Sequence, residues 1–169
     1  MYISARGLKD LMNAEDVKLG VEIGCHDGIS TEYFLASFPN LSLKGVDPYH
    51  EYVDWNGNHL VNRPEAMSIL YDRLGTNVDR FELIRKFSND AVDAFEDNSL
   101  DFIFIDGLHV YDQVLLDCSN YYSKVKKGGV FSGHDYHMIA GVKKAVDKFA
   151  SIVGATISHT SEDVWYWYK

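Results

Sequence analysis

Short runs of β-branched and aromatic residues, each closed by a glycine or a polar side chain, alternate with segments of helical period along almost the whole chain. The clearest is Leu100-Asp101-Phe102-Ile103-Phe104-Ile105, followed at once by Asp106. A near-continuous apolar run suits a strand buried on both faces, as in a parallel sheet covered by helices. Further strands are predicted at Lys18 to Ile23, Leu41 to Val46, Phe81 to Ile84 and Val130 to Ser132. Ala155 to His159 and Val164 to Tyr168 read as a terminal hairpin. Helical segments are expected at residues 3–14, Ser30 to Phe38, Pro64 to Leu74 and Ile139 to Phe149. A short helix begins near Ala91 with Ser88 or Asn89 as its cap. A longer one carries Val110, Val114, Cys118 and Tyr121 on one face and closes at Lys126-Lys127-Gly128-Gly129.

Strands separated by helices imply right-handed crossovers. The expected fold class is α/β: a Rossmann-like doubly wound sheet of about seven strands, mostly parallel, with an antiparallel C-terminal strand and helices on both faces. At 169 residues a single domain over 1–169 is predicted. Residues 48–62 show no period, and a long loop in a compact domain is usually functional. With the helix in residues 1–16 it is the natural lid.

Charge narrows the partners. The formal net charge is −9, from 16 Lys plus Arg against 25 Asp plus Glu. Binding along a phosphate backbone needs clustered cations, and the nearest candidate, Lys124 with Lys126 and Lys127, reads as a helix end where cations meet the negative pole. Neither nucleic acid nor an anionic membrane is expected as a partner. No apolar run reaches the ~18 residues of a membrane span. Cys25 and Cys118 lie far apart, which suits a reduced, cytoplasmic setting.

In an open parallel sheet, ligands bind beyond the carboxyl ends of the strands. The residues just after each strand are Gly24-Cys25-His26-Asp27-Gly28, Asp47-Pro48, Ser88-Asn89-Asp90, Asp106-Gly107-Leu108-His109 and His134-Asp135-Tyr136. A single Asp at such a place reads as a turn former; polar residues after all five strands read as a site. Gly24 and Gly28 allow a ligand close to the backbone. Asp47 falls at the roughly 20-residue spacing of an acid that bonds ribose hydroxyls. A nucleoside ligand follows. A dinucleotide loop reads G-x-G-x-x-G, whereas position 26 is His and the acids Glu22 and Asp27 flank the loop. That loop suits the cationic sulfonium of S-adenosylmethionine better than a pyrophosphate.

With these segments in view, the chain resembles the class I S-adenosylmethionine-dependent methyltransferases from end to end. VEIGCHDGIS looks like their first motif and LKGVDPY like their ribose-binding segment; LDFIFIDGLHVYDQVLLD and KKGGVFSGHDY look like the fourth and fifth. The wording is closest to the compact branch of metal-dependent, macrocin-type sugar O-methyltransferases. The resemblance implies a donor site at Glu22, Gly24, Cys25, His26, Asp27, Gly28, Asp47, Pro48, Ser88, Asn89, Asp90 and Asp106. It further implies a divalent cation, Mg²⁺ or another, at Asp106 and Asp135, with His134 where those enzymes usually carry an acid. His in that place favours softer ions such as Mn²⁺, Fe²⁺ or Zn²⁺.

A hydroxyl is a poor nucleophile until its proton is taken or a cation polarises it. His109, three residues after Asp106, is either the general base or a cap on the helix at Val110. Asp106 either binds the cation or bonds the donor's amino group. The aromatic C-terminus is either a strand packed on helices or the surface of a homodimer. The predicted activity is O-methylation of a small hydroxyl-bearing acceptor. The alternatives are a nucleoside-binding module without catalysis, an N-methyltransferase without metal, and an NAD oxidoreductase.

Overall fold

The computed structural model describes residues 5–50, 52–53, 59–60 and 64–169. Six residues, Arg6–Leu11, form a 3-10 helix that buries Leu8, shorter than the predicted 3–14; residues 1–4 lie outside the described residues. Then come β1 (Leu19–Ile23), α1 (Ile29–Ser37), β2 (Ser42–Val46), and the two-residue strands β3 (Tyr52–Val53) and β4 (His59–Leu60). α2 (Pro64–Leu74), β5 (Phe81–Ile84), α3 (Ser88–Ala91), β6 (Leu100–Ile105) and α4 (Tyr111–Tyr121) follow. β7 (Val125–Gly133), α5 (Ala140–Val153), β8 (Ser158–His159) and β9 (Trp165–Tyr168) complete the order.

Among the described residues seven strands form one sheet in the order β5-β2-β1-β6-β7-β9-β8. The first five of these are mutually parallel, and β9 runs antiparallel to both β7 and β8. This is the predicted architecture. The stretch read as a structureless loop differs, because β3 and β4 pair antiparallel as a small hairpin. Residues 51, 54–58 and 61–62 of that stretch, and 1–4 of the helix predicted to form the lid with it, fall outside the described residues.

Both faces of the sheet are covered, which explains the apolar run at β6. Ile103 and Ile105 point to a core shared with Val114, Tyr121, Val146 and Phe149 of α4 and α5. Phe102 and Phe104 point the other way, to Phe34, Phe38 and Leu70 of the α1 and α2 side. A strand alternates its side chains between faces, so apolar residues at every position require helices on both sides. Asp101 breaks the run for a reason. Its carboxylate accepts the backbone N–H groups of Lys18 and Leu19, each at 2.7 Å, and pairs with Lys126.

That pair corrects the reading of Lys126 and Lys127 as a helix end. α4 gives way to a 3-10 turn at Tyr122–Lys124, and both lysines lie inside β7. The short helix after β5 also starts earlier than predicted, at Ser88. Neither Ser88 nor Asn89 caps it; the N-cap is Phe87, without a side-chain bond.

Of the C-terminal aromatics the two tryptophans resolve as core and Tyr168 is exposed. Trp165 and Trp167 are buried and pack on Phe131 with ring centroids 5.9 and 5.0 Å apart, while Tyr166 turns to the opposite face. The two tryptophans are therefore packing residues of the sheet. Phe131 also meets Tyr122 and Phe149 at 5.3 and 5.9 Å, so it ties β7 to β9 and α5. Phe131→Ala should cost about 3–5 kcal/mol, read as a lowered midpoint in chemical denaturation with an unchanged slope.

Candidate active site

The site forms where β1 and β6 run side by side and their crossovers leave on opposite sides. Gly24 ends β1 at φ +88°, and a Cβ there would meet the carbonyl of Asp106. Only glycine allows that conformation and that approach together. The two strand ends are locked by Asp106 N–H to Ile23 O at 2.8 Å and Gly24 N–H to Val46 O at 2.9 Å.

The loop after Gly24 is held by the acid predicted to bind ribose. Oδ2 of Asp47 accepts the N–H groups of Cys25 and His26 at 3.1 and 3.0 Å, and Oδ1 accepts that of Tyr49 at 2.9 Å. The Tyr49 hydroxyl donates to the His26 carbonyl at 2.6 Å. A carboxylate offers about four lone-pair sites, so one remains after it has shaped the loop. Burial and nearby acids push both the Cys25 thiol and the Tyr49 hydroxyl above their usual ranges, so neither is a nucleophile near neutral pH.

Two cavities open beside this loop, of ≈ 300 and ≈ 290 Å³. Both touch Gly24, His26 and Asp106. The first adds Asp47, Pro48, Ser88, Asn89 and His109 of the predicted residues, with Gln113 and Asp117 besides. The second adds Cys25, Asp27, His134 and Asp135. Glu22, Gly28 and Asp90 line neither cavity. Gly28 sits at φ 81° as the N-cap of α1, and Asp90 is exposed on α3. Gln113 and Asp117 escaped the sequence reading because only strand ends were searched. Their signal was an acid on the apolar face of a helix, beside Val114 and Cys118.

Glu22 lies beneath the loop, fully buried, and accepts from the hydroxyls of Ser30 and, at 2.6 Å, Thr31. Burial is the dominant influence on it, opposed by those hydroxyls and aided by Asp106 and Asp47, and the carboxyl rises from 4.5 to about 8. It is neutral near pH 7, so it adds no charge to attract a sulfonium.

Four side chains from two strand ends converge beside Asp106, which touches both cavities; His109 lines the first and His134 and Asp135 line the second. His109 Nε2 lies 3.1 Å from Asp106 Oδ1 and 3.0 Å from Asp135 Oδ2. His134 Nδ1 lies 3.1 Å from Asp135 Oδ1 and 3.8 Å from Asp106 Oδ1. Asp135 reaches this position with φ 62°, uncommon for a residue with a side chain. Burial works against a charged His109, yet the hydrogen bonds to Asp106 and Asp135 outweigh it and hold the ring up at about 9. Burial also opposes ionisation of Asp135, but the two imidazoles hold its carboxyl well below the usual range. His109 is not the cap of α4. That place belongs to the Val110 backbone, without a side-chain bond.

Asp106, His134 and Asp135 each present a ligand atom within 4.8 Å of the others. His134 Nε2 lies 2.9 Å from the Glu162 carbonyl. A carbonyl only accepts, so Nε2 carries a hydrogen and Nδ1 faces the carboxylates. An outer hydrogen bond of this kind orients metal-binding histidines, and this donor set fits a divalent ion.

A family model described as a methyltransferase domain matches residues 21–136, and the chain belongs to that family, the class I S-adenosylmethionine-dependent methyltransferases. Protein R132 of Acanthamoeba polyphaga mimivirus is 31% identical over 145 residues, 80% of this chain and 60% of that protein. Protein y4gI of Sinorhizobium fredii is 30% identical over 121 residues, 68% of this chain. The chain thus spans 60% and 13% of the lengths of these relatives. A Staphylococcus aureus structure assigned as a caffeoyl-CoA O-methyltransferase superposes with TM-score 0.73 at 14% identity, covering 100% of this chain and 84% of that one. The O-methyltransferase NovP gives 0.68 at 18% identity, over 96% and 80%. Among the described residues no helix is long and apolar enough to cross a membrane.

The buried acid makes a pH prediction. Unfolded Glu22 ionises near 4.5, whereas the folded residue keeps its proton to about 8. Between those values the folded state binds more protons, so this residue's contribution to stability falls as pH rises through the window. Glu22→Gln should therefore gain in melting temperature relative to the parent as pH is raised from about 5 to about 8. A constant difference across that range would show that Glu22 is ionised in the fold.

Proposed function

We propose that the chain transfers a methyl group from S-adenosylmethionine to a hydroxyl of a small acceptor such as a sugar or natural product, with His109 as general base. The observation that supports this most is the meeting of His109, Asp106 and Asp135 at the junction of the two cavities. The donor supplies an electrophilic methyl group on its sulfonium. The first cavity would take its nucleoside, with the remaining Asp47 lone pair for a ribose hydroxyl. Asp106 and the Gly24 backbone, which touch both cavities, would align the donor toward the second.

His109, which lines the first cavity and reaches Asp135 of the second at 3.0 Å, would meet the acceptor where the two cavities adjoin. It can take the acceptor's proton only in its neutral form, and the carboxylates at 3.0 and 3.1 Å hold its own proton in place. A divalent cation held by Asp106, His134 and Asp135 would polarise the acceptor oxygen and take up the carboxylate charge that otherwise keeps His109 protonated. Methyl transfer between aligned partners needs mainly positioning and exclusion of water. The apolar walls of the first cavity serve the second requirement.

Release of S-adenosylhomocysteine against panels of sugar, phenol and amine acceptors tests the reaction class; turnover confined to amines would overturn the hydroxyl assignment. His109→Ala should lower kcat by about 10²–10⁴-fold while calorimetric affinity for the donor holds, and an unchanged rate would remove the base. Exhaustive chelation and Asp135→Ala should each abolish turnover, with added divalent ion restoring only the chelated parent. Full activity after both treatments would refute the metal site.

A further inference from the structure

The pairing of β7 with β9 ends where Gly133 lies beside Trp165, and the next residues on the β7 side are His134 and Asp135. Beyond that point side chains take over from the strand ladder. The Trp165 indole N–H donates to the His134 carbonyl at 3.2 Å, and His134 Nε2 donates to the Glu162 carbonyl at 2.9 Å. Asp163, the residue after Glu162, reaches further along the same segment. Its carboxylate accepts the backbone N–H of His137 at 3.0 and 3.1 Å and that of Met138 at 3.3 Å. The His137 ring joins them, with Nδ1 2.5 Å from Asp163 Oδ1.

These bonds bracket Asp135. The turn that follows it closes with the Ile139 N–H on the Asp135 carbonyl at 3.1 Å, and the N–H groups of His137 and Met138 within that turn point to Asp163. Asp135 holds φ 62°, and a left-handed backbone at such a residue persists only where its surroundings over-determine it. Asp163 has a left-handed backbone as well, at φ 63°, and its side chain is largely buried. The hairpin turn that carries it is closed by the Thr160 N–H on the Val164 carbonyl at 2.9 Å. One turn thus presents Asp135 and the other grips it. The result is Asp135 Oδ2 at 3.0 Å from His109 Nε2 and Oδ1 at 3.1 Å from His134 Nδ1. Each oxygen serves a different imidazole, so a shift of the turn would loosen both.

We propose that Asp163 is a positioning residue: by fixing the turn 135–139 from the β8–β9 hairpin, it sets the Asp135 carboxylate between His109 and His134. An Asp in a hairpin turn ordinarily serves its own backbone; this one spends its carboxylate on a second turn from another segment. Asp163 lines neither cavity, so it acts through Asp135 and not on a ligand. Groups that must share a proton or an ion have to be held within about 0.5 Å, and outer hydrogen bonds are what hold them. The C-terminal hairpin is thereby part of the site's machinery without touching what the site binds. The inference rests on the proposed role of Asp135 and names the residue that places it.

Nitrogen-15 NMR of the metal-free protein at one fixed, near-neutral pH tests it through the His109 Nε2–H resonance, assigned by its loss in His109→Ala. Asp135→Ala should move that resonance, because one of the two carboxylates at Nε2 is gone. Asp163→Gly removes the gripping carboxylate yet still allows a left-handed backbone, and it should move the resonance in the same direction. Asp163→Asn keeps one acceptor and sets an N–H against that of Met138. It should move the resonance part of the way, and it serves if the Gly variant does not fold. Calorimetric affinity for Mn²⁺ should fall about 10–100-fold in Asp163→Gly, with affinity for S-adenosylhomocysteine unchanged. If the Asp163 variants melt earlier but keep the parent's His109 resonance, Asp163 is a turn former alone and the proposal is overturned. It is overturned equally if Asp135→Ala leaves the resonance in place. Should the parent bind no Mn²⁺, the proposed cation site is wrong, and the His109 resonance still decides the role of Asp163.

Discussion

Everything at the site depends on the parallel pairing of β1 with β6 and the close approach that Gly24 permits at its end. The pairing sets Ile23 beside Ile105, and the next residue on each strand begins a crossover to a different face. Chain leaving in two directions opens a crevice that neither strand could make alone. A side chain at position 24 would push the Asp106 carbonyl away. That would separate the first loop from the carboxylate through which the two cavities meet.

The acids around this crevice look alike in sequence and behave differently in the fold. Asp101 spends its carboxylate on two backbone amides and Lys126. Glu22 spends its own on two hydroxyls and stays protonated. Asp47 is largely used in shaping the first loop. Among the described residues the carboxylates of Asp106 and Asp135 are paired with imidazoles alone. Imidazole can give up its proton or yield its place to a metal ion, whereas backbone amides can do neither. The proposed chemistry therefore falls to the histidines, while Asp101, Glu22 and Asp47 hold the frame.

Much of this was legible from residue order. The run at β6, the glycine after β1 and the acids after β2 and β6 each report a local requirement: burial on two faces, a left-handed backbone, a polar group at a strand end. Other features were misread because their partners are remote. Lys126 looked like a helix terminus until Asp101, on the neighbouring strand, claimed it. Ser88 looked like a cap until Asp117, from α4, took its hydroxyl. Asp117 gives no such signal, since an acid on a helix is ordinarily a solvated one, and here it is buried with the Ser88 hydroxyl bonded to it.

The sequence by itself determined the order of strands and helices, the need for helices on both faces and the arrival of polar groups at one edge, since periodicity and turn chemistry are local properties. Only the tertiary structure decided which carboxylates are spent and which are open. That depends on donors brought from distant segments, such as His26 for Asp47, 21 residues away, or Lys18 for Asp101, 83 residues away. A carboxylate's role is set by what faces it, and residue order alone does not say what that is.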